Sequence, residues 1–496
     1  MNSSGKRHAP PKAGAMIEAL RGLGYTTASA LADIIDNSIA ANASLVEINF
    51  IWDQESSRIE IIDNGDGMDA LELDKAMRLG ELNPLDQRSE SDLGRFGMGL
   101  KTASFSQCRE LTVASKKHQE LSCLRWDLDV LAESSGDGWF LLEGPSNNNR
   151  NLVHSLQERP KGTLVLWEKL DRIITERFSA DDFLDLMDQV VQHLAMVFHR
   201  YLEDRANRFD LRVNGRQIKP WDPFLKGHPA KAWHSPKATQ LSSGGTVSVE
   251  CHVLPHKDRL TDKEFVSAGG PDGWTAQQGF YVYRNKRLLL AGSWLGLGKG
   301  RAWTKEESHR LARIKLDIPN TLDSEWKIDI RKATARPPVA VRKWLLRLAE
   351  DTRSRARRTF ASRGKPARTG KGEPVVQAWN ASQTSAGVRY RIDESHPAVR
   401  AVLDDAGSML PQVKAMFRIL EETIPVRRIW LDTAESKETP RTHFEGEAPD
   451  EVVSILKVMF QNLVDKKGYS PEAAVNKLLL TEPFQDYPKL VSSLTE

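Results

Sequence analysis

Asp63-Asn64-Gly65-Asp66-Gly67-Met68 follows directly on the segment Ile59–Ile62, and the reading of this stretch decides the fold. The alternating Arg58–Asp63 run reads as a strand, paired with a preceding strand over Ser44–Trp52 in the manner of a half-buried hairpin. A carboxylate at the end of such a strand accepts a hydrogen bond from an exocyclic amino group of a purine. The glycines beside it permit close approach, because no Cβ intervenes. Taken alone, the stretch is equally an Asn-Gly/Asp-Gly turn.

The segments on either side narrow the reading. Upstream, Leu31, Ile34, Ile35 and Ile39 recur at helical spacing and predict a helix over about Thr27–Ala41 with one buried face. Asp33, Asp36 and Asn37 share the opposite face. A carboxamide and a carboxylate there suit Mg²⁺, which takes few protein oxygens beside phosphate and water. A solvated polar face is the other reading. Downstream, Gly94-Arg95-Phe96-Gly97-Met98-Gly99-Leu100-Lys101 runs into a predicted helix over about 100–107. Its glycines expose backbone N–H groups suited to phosphates, and Lys101 adds an ammonium. The spacing is neither the dinucleotide fingerprint nor a Walker A loop. Lys161-Gly162-Thr163 then precedes another strand.

In this order, with Asp63 lying 26 residues after Asn37, the segments resemble the asparagine box and the two glycine boxes of the GHKL ATPase superfamily. That superfamily unites gyrase, Hsp90 chaperones, histidine kinases and MutL. The resemblance implies an α+β chain whose first part is the GHKL α/β sandwich, a mixed sheet covered by helices. It implies ATP and Mg²⁺ as cofactors. Asn37 would ligate the metal, and Asp63 would bind the adenine amino group. Gly65, Gly67, Met68 and Thr163 would belong to the base pocket. Gly94, Gly97, Met98, Gly99, Leu100 and Lys101 would close on the phosphates. Asp33 stands where related branches carry a glutamate general base; one methylene shorter, it implies slow hydrolysis. Asp36 would support the site.

Further on, Gly279–Arg287 resembles the strand–turn–strand of the S5-like transducer domain in MutL, gyrase and MORC proteins. In such proteins a transducer lysine senses the γ-phosphate; Lys332 is the candidate here, with Lys327 second. Val213-Asn214-Gly215 with Trp221–Phe224 is similar to the MORC-type passage between the domains. The expected organisation is a strap over 1–14, an ATP-binding domain over 15–210 and a transducer over 211–345. A helix and basic linker over 346–390 and a helical interaction domain over 391–496 follow. The bacterial MORC-like ATPases are the most similar branch. They imply an ATP-gated homodimer acting on DNA in genome defence, with a nuclease or helicase partner held by the C-terminal helices. A regulatory subunit with little turnover is the alternative.

Composition sets outer bounds. The chain has 496 residues, 40% of them hydrophobic and 28% charged, so each domain has material for its own core. A net charge of +3 selects no partner, although Arg353–Gly372 reads as a basic arm suited to phosphate backbone. The three cysteines are widely spaced and read as reduced thiols, which argues against a zinc site and makes a cytoplasmic setting the expectation. No apolar run has the length to span a bilayer.

Overall fold

The computed structural model describes residues 11–81, 99–133, 139–206, 208–242, 245–323, 325–329, 334–361, 376–384, 387–429 and 449–495. The chain forms two compact units, over 1–364 and 365–496.

The first unit opens with two helices, α1 (Ala13–Arg21) and α2 (Thr27–Ala40). Thr26 and Ser29 cap α2 reciprocally, which fixes its start. Then follow β1 (Leu45–Ile51), β2 (Arg58–Asp63), α3 (Ala70–Met77), α4 (Gly99–Phe105), β3 (Glu110–Lys117), β4 (Glu120–Asp127), α5 (Leu128–Glu133), β5 (Leu142–Glu143), α6 (Arg150–Ser155), β6 (Gly162–Glu168) and α7 (Ala180–Val197). Two short strands, β7 (Asp210–Val213) and β8 (Arg216–Gln217), complete an eight-stranded sheet in the order β5-β4-β3-β6-β2-β1-β7-β8. The sheet is mixed: β7 runs parallel to β1, and the other neighbours are antiparallel.

One face of this sheet carries the main core. Ile17 of α1, Leu31, Ile34 and Ile35 of α2, Phe105 of α4, and Val190 and Leu194 of α7 pack there on Val46, Ile48, Ile59, Ile61, Val113 and Trp167. The alternation read in β1 is present, with Val46, Ile48 and Phe50 inward. On the other face, Val153 and Leu156 cover Ala114 and Leu164.

β7 was expected to open a second domain. Instead it adds to the first sheet, Leu45 opposite Asp210. The cause is local: Asn214 accepts a hydrogen bond from the Phe50 amide at 2.7 Å, and Asn214-Gly215 turns the chain with φ of 45° and 74°.

A second sheet is built from β9 (Trp233–His234), β10 (Ala238–Ser242), β11 (Gly245–Val253), β12 (Gly279–Arg284), β13 (Arg287–Ser293) and β14 (Ala312–Ile318). The order is β10-β11-β14-β12-β13, with β9 also on β11 and β12 parallel to β14. The 23-residue helix Val339–Ala361 buries Val341, Leu345, Ala349 and Ala356 against the core of this sheet. It absorbs the start of the expected basic arm. Arg353 is buried, with its guanidinium over Trp294 at 4.6 Å and over Trp303 at 4.5 Å.

The unit over 365–496 contains a hairpin, Trp379–Thr384 with Gly387–Ile392, and helices Pro397–Asp405, Leu410–Glu422, Asp450–Gln461 and Pro471–Leu478. Its small core centres on Leu456, Met459, Leu478, Phe484 and Val491. Among the described residues, no helix is long and apolar enough to cross a membrane.

Candidate functional site

Strand register assembles the site. Asp63 at the end of β2 lies opposite Thr163 of β6, and Thr163 lies opposite Ser115 of β3. Cross-strand neighbours share a face, so three oxygen-bearing side chains stand in a row at one end of the sheet. Thr163 Oγ1 and Ser115 Oγ are 2.9 Å apart. Ser115 Oγ accepts the Met68 amide at 2.8 Å, which holds the chain after the glycines onto this row.

Asp63 is 6% exposed and accepts three hydrogen bonds. The Gly65 amide donates to Oδ1 at 2.9 Å, the Thr163 amide to Oδ1 at 3.3 Å, and the Ser38 hydroxyl of α2 to Oδ2 at 2.8 Å. Burial raises its carboxyl above the usual range, against the pull of these donors. An ionised carboxylate offers about four lone-pair sites. The described residues fill three of them, which leaves one for an outside donor.

The glycines meet a demand of the protein's own backbone. At Gly67, with φ of 70°, a Cβ would stand 2.1 Å from the Lys116 carbonyl oxygen; at Gly65 it would stand 2.9 Å from that of Ala41. Gly162, with φ of 139°, faces the Asp63 carbonyl in the same way at 2.2 Å. The close approach is thus between the protein's own strand ends, and it is what seats Asp63 beside Thr163.

On α2, Asp33 and Asp36 are not on a solvated face: each is 3% exposed. Tyr25 Oη donates to Asp33 Oδ2 at 3.0 Å. Arg287 of β13 places Nη2 3.5 Å from Asp33 Oδ1 and Nε 3.1 Å from Asp36 Oδ2. The second sheet therefore covers the polar side of the helix, which a periodicity argument cannot foresee. Asn37 stays exposed. A neutral, exposed carboxamide one turn from a buried carboxylate suits Mg²⁺ carried on a nucleotide, since that ion keeps most of its waters and phosphate oxygens.

From the glycine-rich segment, Gly99 opens α4 with its Cβ position 3.8 Å from Asp33 Oδ2. Leu100 is half-buried beside it. Lys101 is buried and donates to the Ala76 carbonyl, at the end of α3, at 2.8 Å. Burial pulls its ammonium down to about 8. Gly94, Gly97, Met98 and Lys332 lie outside the described residues. Lys327 is exposed, with φ of 50°. Asp329, two residues on, adds to the upward shift of Tyr25, behind burial and Asp33.

The sequence reading missed Ser38, Ser115, Tyr25 and Arg287. Ser38 sits beside Asn37 and carried a signal; Ser115 is found only through register, and Arg287 only through the docking of β13.

Comparison with known proteins agrees with this geometry. The family model of histidine kinase-, DNA gyrase B- and HSP90-like ATPases matches residues 25–163, the span from Tyr25 to Thr163 just described. ATPase morc-1 of Caenorhabditis elegans is 31% identical over 96 residues, which is 19% of this chain and 11% of that protein. The match thus spans about a tenth of that relative's length. Residues 25–163 are thus similar to the GHKL-type ATPase domain, and over 96 residues the chain is similar to a MORC ATPase.

Proposed function

We propose that this protein binds ATP with Mg²⁺ and hydrolyses it slowly, with Asp33 as general base. The observation that carries the reading is the Asp63 cluster: a buried carboxylate, fixed by Ser38, Gly65 and Thr163, with one acceptor site remaining for the adenine amino group. Asn37 would hold the metal, which neutralises phosphate charge when bound. Asp33 would take the proton of the attacking water, oriented through the Tyr25 hydroxyl. Lys101, and Lys332 after it, would meet the phosphates.

In this reading the nucleotide cycle gates a homodimer acting on DNA in a genome-defence setting, and a nuclease or helicase partner is held through the C-terminal helices. Support for the DNA contact comes from Arg342, Lys343, Arg347, Arg357 and Arg358, exposed along the helix Val339–Ala361. The aspartate at position 33, one methylene shorter than the glutamate of related branches, favours a second reading, a nucleotide-binding regulatory subunit with little turnover.

A steady-state phosphate-release assay with Mg²⁺ and ATP separates the two. Turnover in the wild type that falls about a hundredfold in Asp33→Ala, with ATP still bound, supports hydrolysis. Asn37→Ala is expected to weaken Mg²⁺-dependent ATP binding. ATP binding without turnover above both variants supports the regulatory subunit, and no adenine-nucleotide affinity at millimolar ligand refutes both.

A further inference from the structure

Arg287 belongs to none of the motifs that define the nucleotide site, yet it is the residue of the second sheet that enters it. The Asn285-Lys286 turn, with φ of 46° and 69°, reverses the chain tightly, so that Arg287 opens β13 opposite Arg284. The tip of this hairpin is fixed to the nucleotide-binding lobe. Lys286 Nζ lies 2.6 Å from Asp204 Oδ2, and Tyr201 donates its hydroxyl to the Asn285 carbonyl. Arg287 is 4% exposed, with its guanidinium 5.8 Å from the Phe198 ring centre.

Every nitrogen of that guanidinium is engaged. Nε donates to both oxygens of Asp36, at 3.2 and 3.1 Å. Nη2 lies 3.5 Å from Asp33 Oδ1, and Nη1 donates to the Leu288 carbonyl. Asp33 and Asp36 are one helical turn apart on α2 and both buried. Two buried carboxylates so placed repel each other, and a cation between them offsets that repulsion. Arg287 is that cation, and it comes from the other sheet.

We infer that Arg287 is the positioning residue by which the second sheet makes Asp33 competent: the docked hairpin offsets the repulsion between the two carboxylates and holds Asp33 in place. The inference rests on the hydrolytic reading proposed above. Asp33 then serves as base only while β13 is docked against α2, so displacement of the second sheet switches hydrolysis off without unmaking the Asp63 pocket.

The test uses the full chain and separates turnover from binding. Arg287→Met keeps most of the side-chain volume and removes the charge. Its turnover is expected to fall at least about tenfold, with ATP affinity by calorimetry within about threefold of wild type. Arg287→Met with Asp36→Asn removes the cation together with one of the two carboxylates it separates. It is expected to recover at least about threefold of the lost turnover, a rescue that a purely structural role for Arg287 does not give. Should the single variant fail to fold, this paired variant carries the test alone, and turnover at least about tenfold below wild type refutes the inference. Turnover of Arg287→Met within about twofold of wild type overturns the inference and leaves the hydrolytic reading standing. A wild type that binds ATP without turning it over overturns that reading, and a positioning role in hydrolysis with it.

Discussion

Asp63→Asn tests the base pocket with the smallest change of shape. The amide keeps one oxygen, which can still accept from the Gly65 and Thr163 amides at 2.9 and 3.3 Å. Its NH₂ replaces Oδ2, where Ser38 now donates at 2.8 Å; the hydroxyl can rotate and accept instead. The fold therefore loses little. The ligand loses more, because a donor now faces the adenine amino group, itself a donor. A hydrogen bond to a charged acceptor contributes about 1.5–3 kcal/mol, so the dissociation constant for ATP should rise about tenfold to a hundredfold. Calorimetric titration with Mg²⁺-ATP measures this directly, alongside a thermal melt to verify the fold. A melt within a few degrees of wild type with less than about a twofold change in affinity would refute the placement of adenine at Asp63.

Gly67→Ala forces a Cβ to within 2.1 Å of the Lys116 carbonyl at φ of 70°. The backbone conformation alone costs about 1–3 kcal/mol, so the melting temperature should fall by several degrees and ATP binding should weaken with it. Lys101 has a folded-state value near 8 against an ordinary value of 10.5, so the unfolded chain binds more protons between them. Wild-type stability should therefore rise relative to Lys101→Met as pH climbs through that window, as denaturant titrations at pH 7.5 and 10 would show. Asp63 shifts the other way: its raised carboxyl stabilises the fold below the ordinary carboxylate value, a contribution lost as pH rises through the folded one. ATP affinity, which needs the ionised form, should accordingly decline with acidification at a pH above the ordinary carboxylate range. Asp323→Ala removes the carboxylate paired with the buried Arg284 guanidinium and is expected to cost about 3–5 kcal/mol in a denaturant melt.

The pocket was legible where chemistry lies along the chain. Asp63, its glycines, Thr163 and the apolar stripe of α2 are local signals, each set by strand ends, turns or helical period. Ser115 was not legible, because it joins Asp63 through the register of β3 on β6, and register depends on pairing across the sheet. The burial of the polar side of α2 was not legible for a related reason. Periodicity shows that one face differs from the other, and it cannot tell water from a buried arginine of another sheet. The role of glycine followed the same pattern, since a close approach that excludes a Cβ was visible at Gly67 and the neighbour that makes it was not.

The parallel strand β7 has a practical consequence for anyone dissecting this chain. The family match closes at residue 163, yet β1 finds its outer neighbour only at 210–213, with β8 beyond it. A fragment cut at 163, or anywhere before Asp210, would bare the backbone amides and carbonyls of β1 along an open flank. Such a flank recruits any extended peptide that meets it, including another copy of the same fragment. An isolated nucleotide-binding piece should therefore run past Gln217, or its self-association will be an artefact of the scissors.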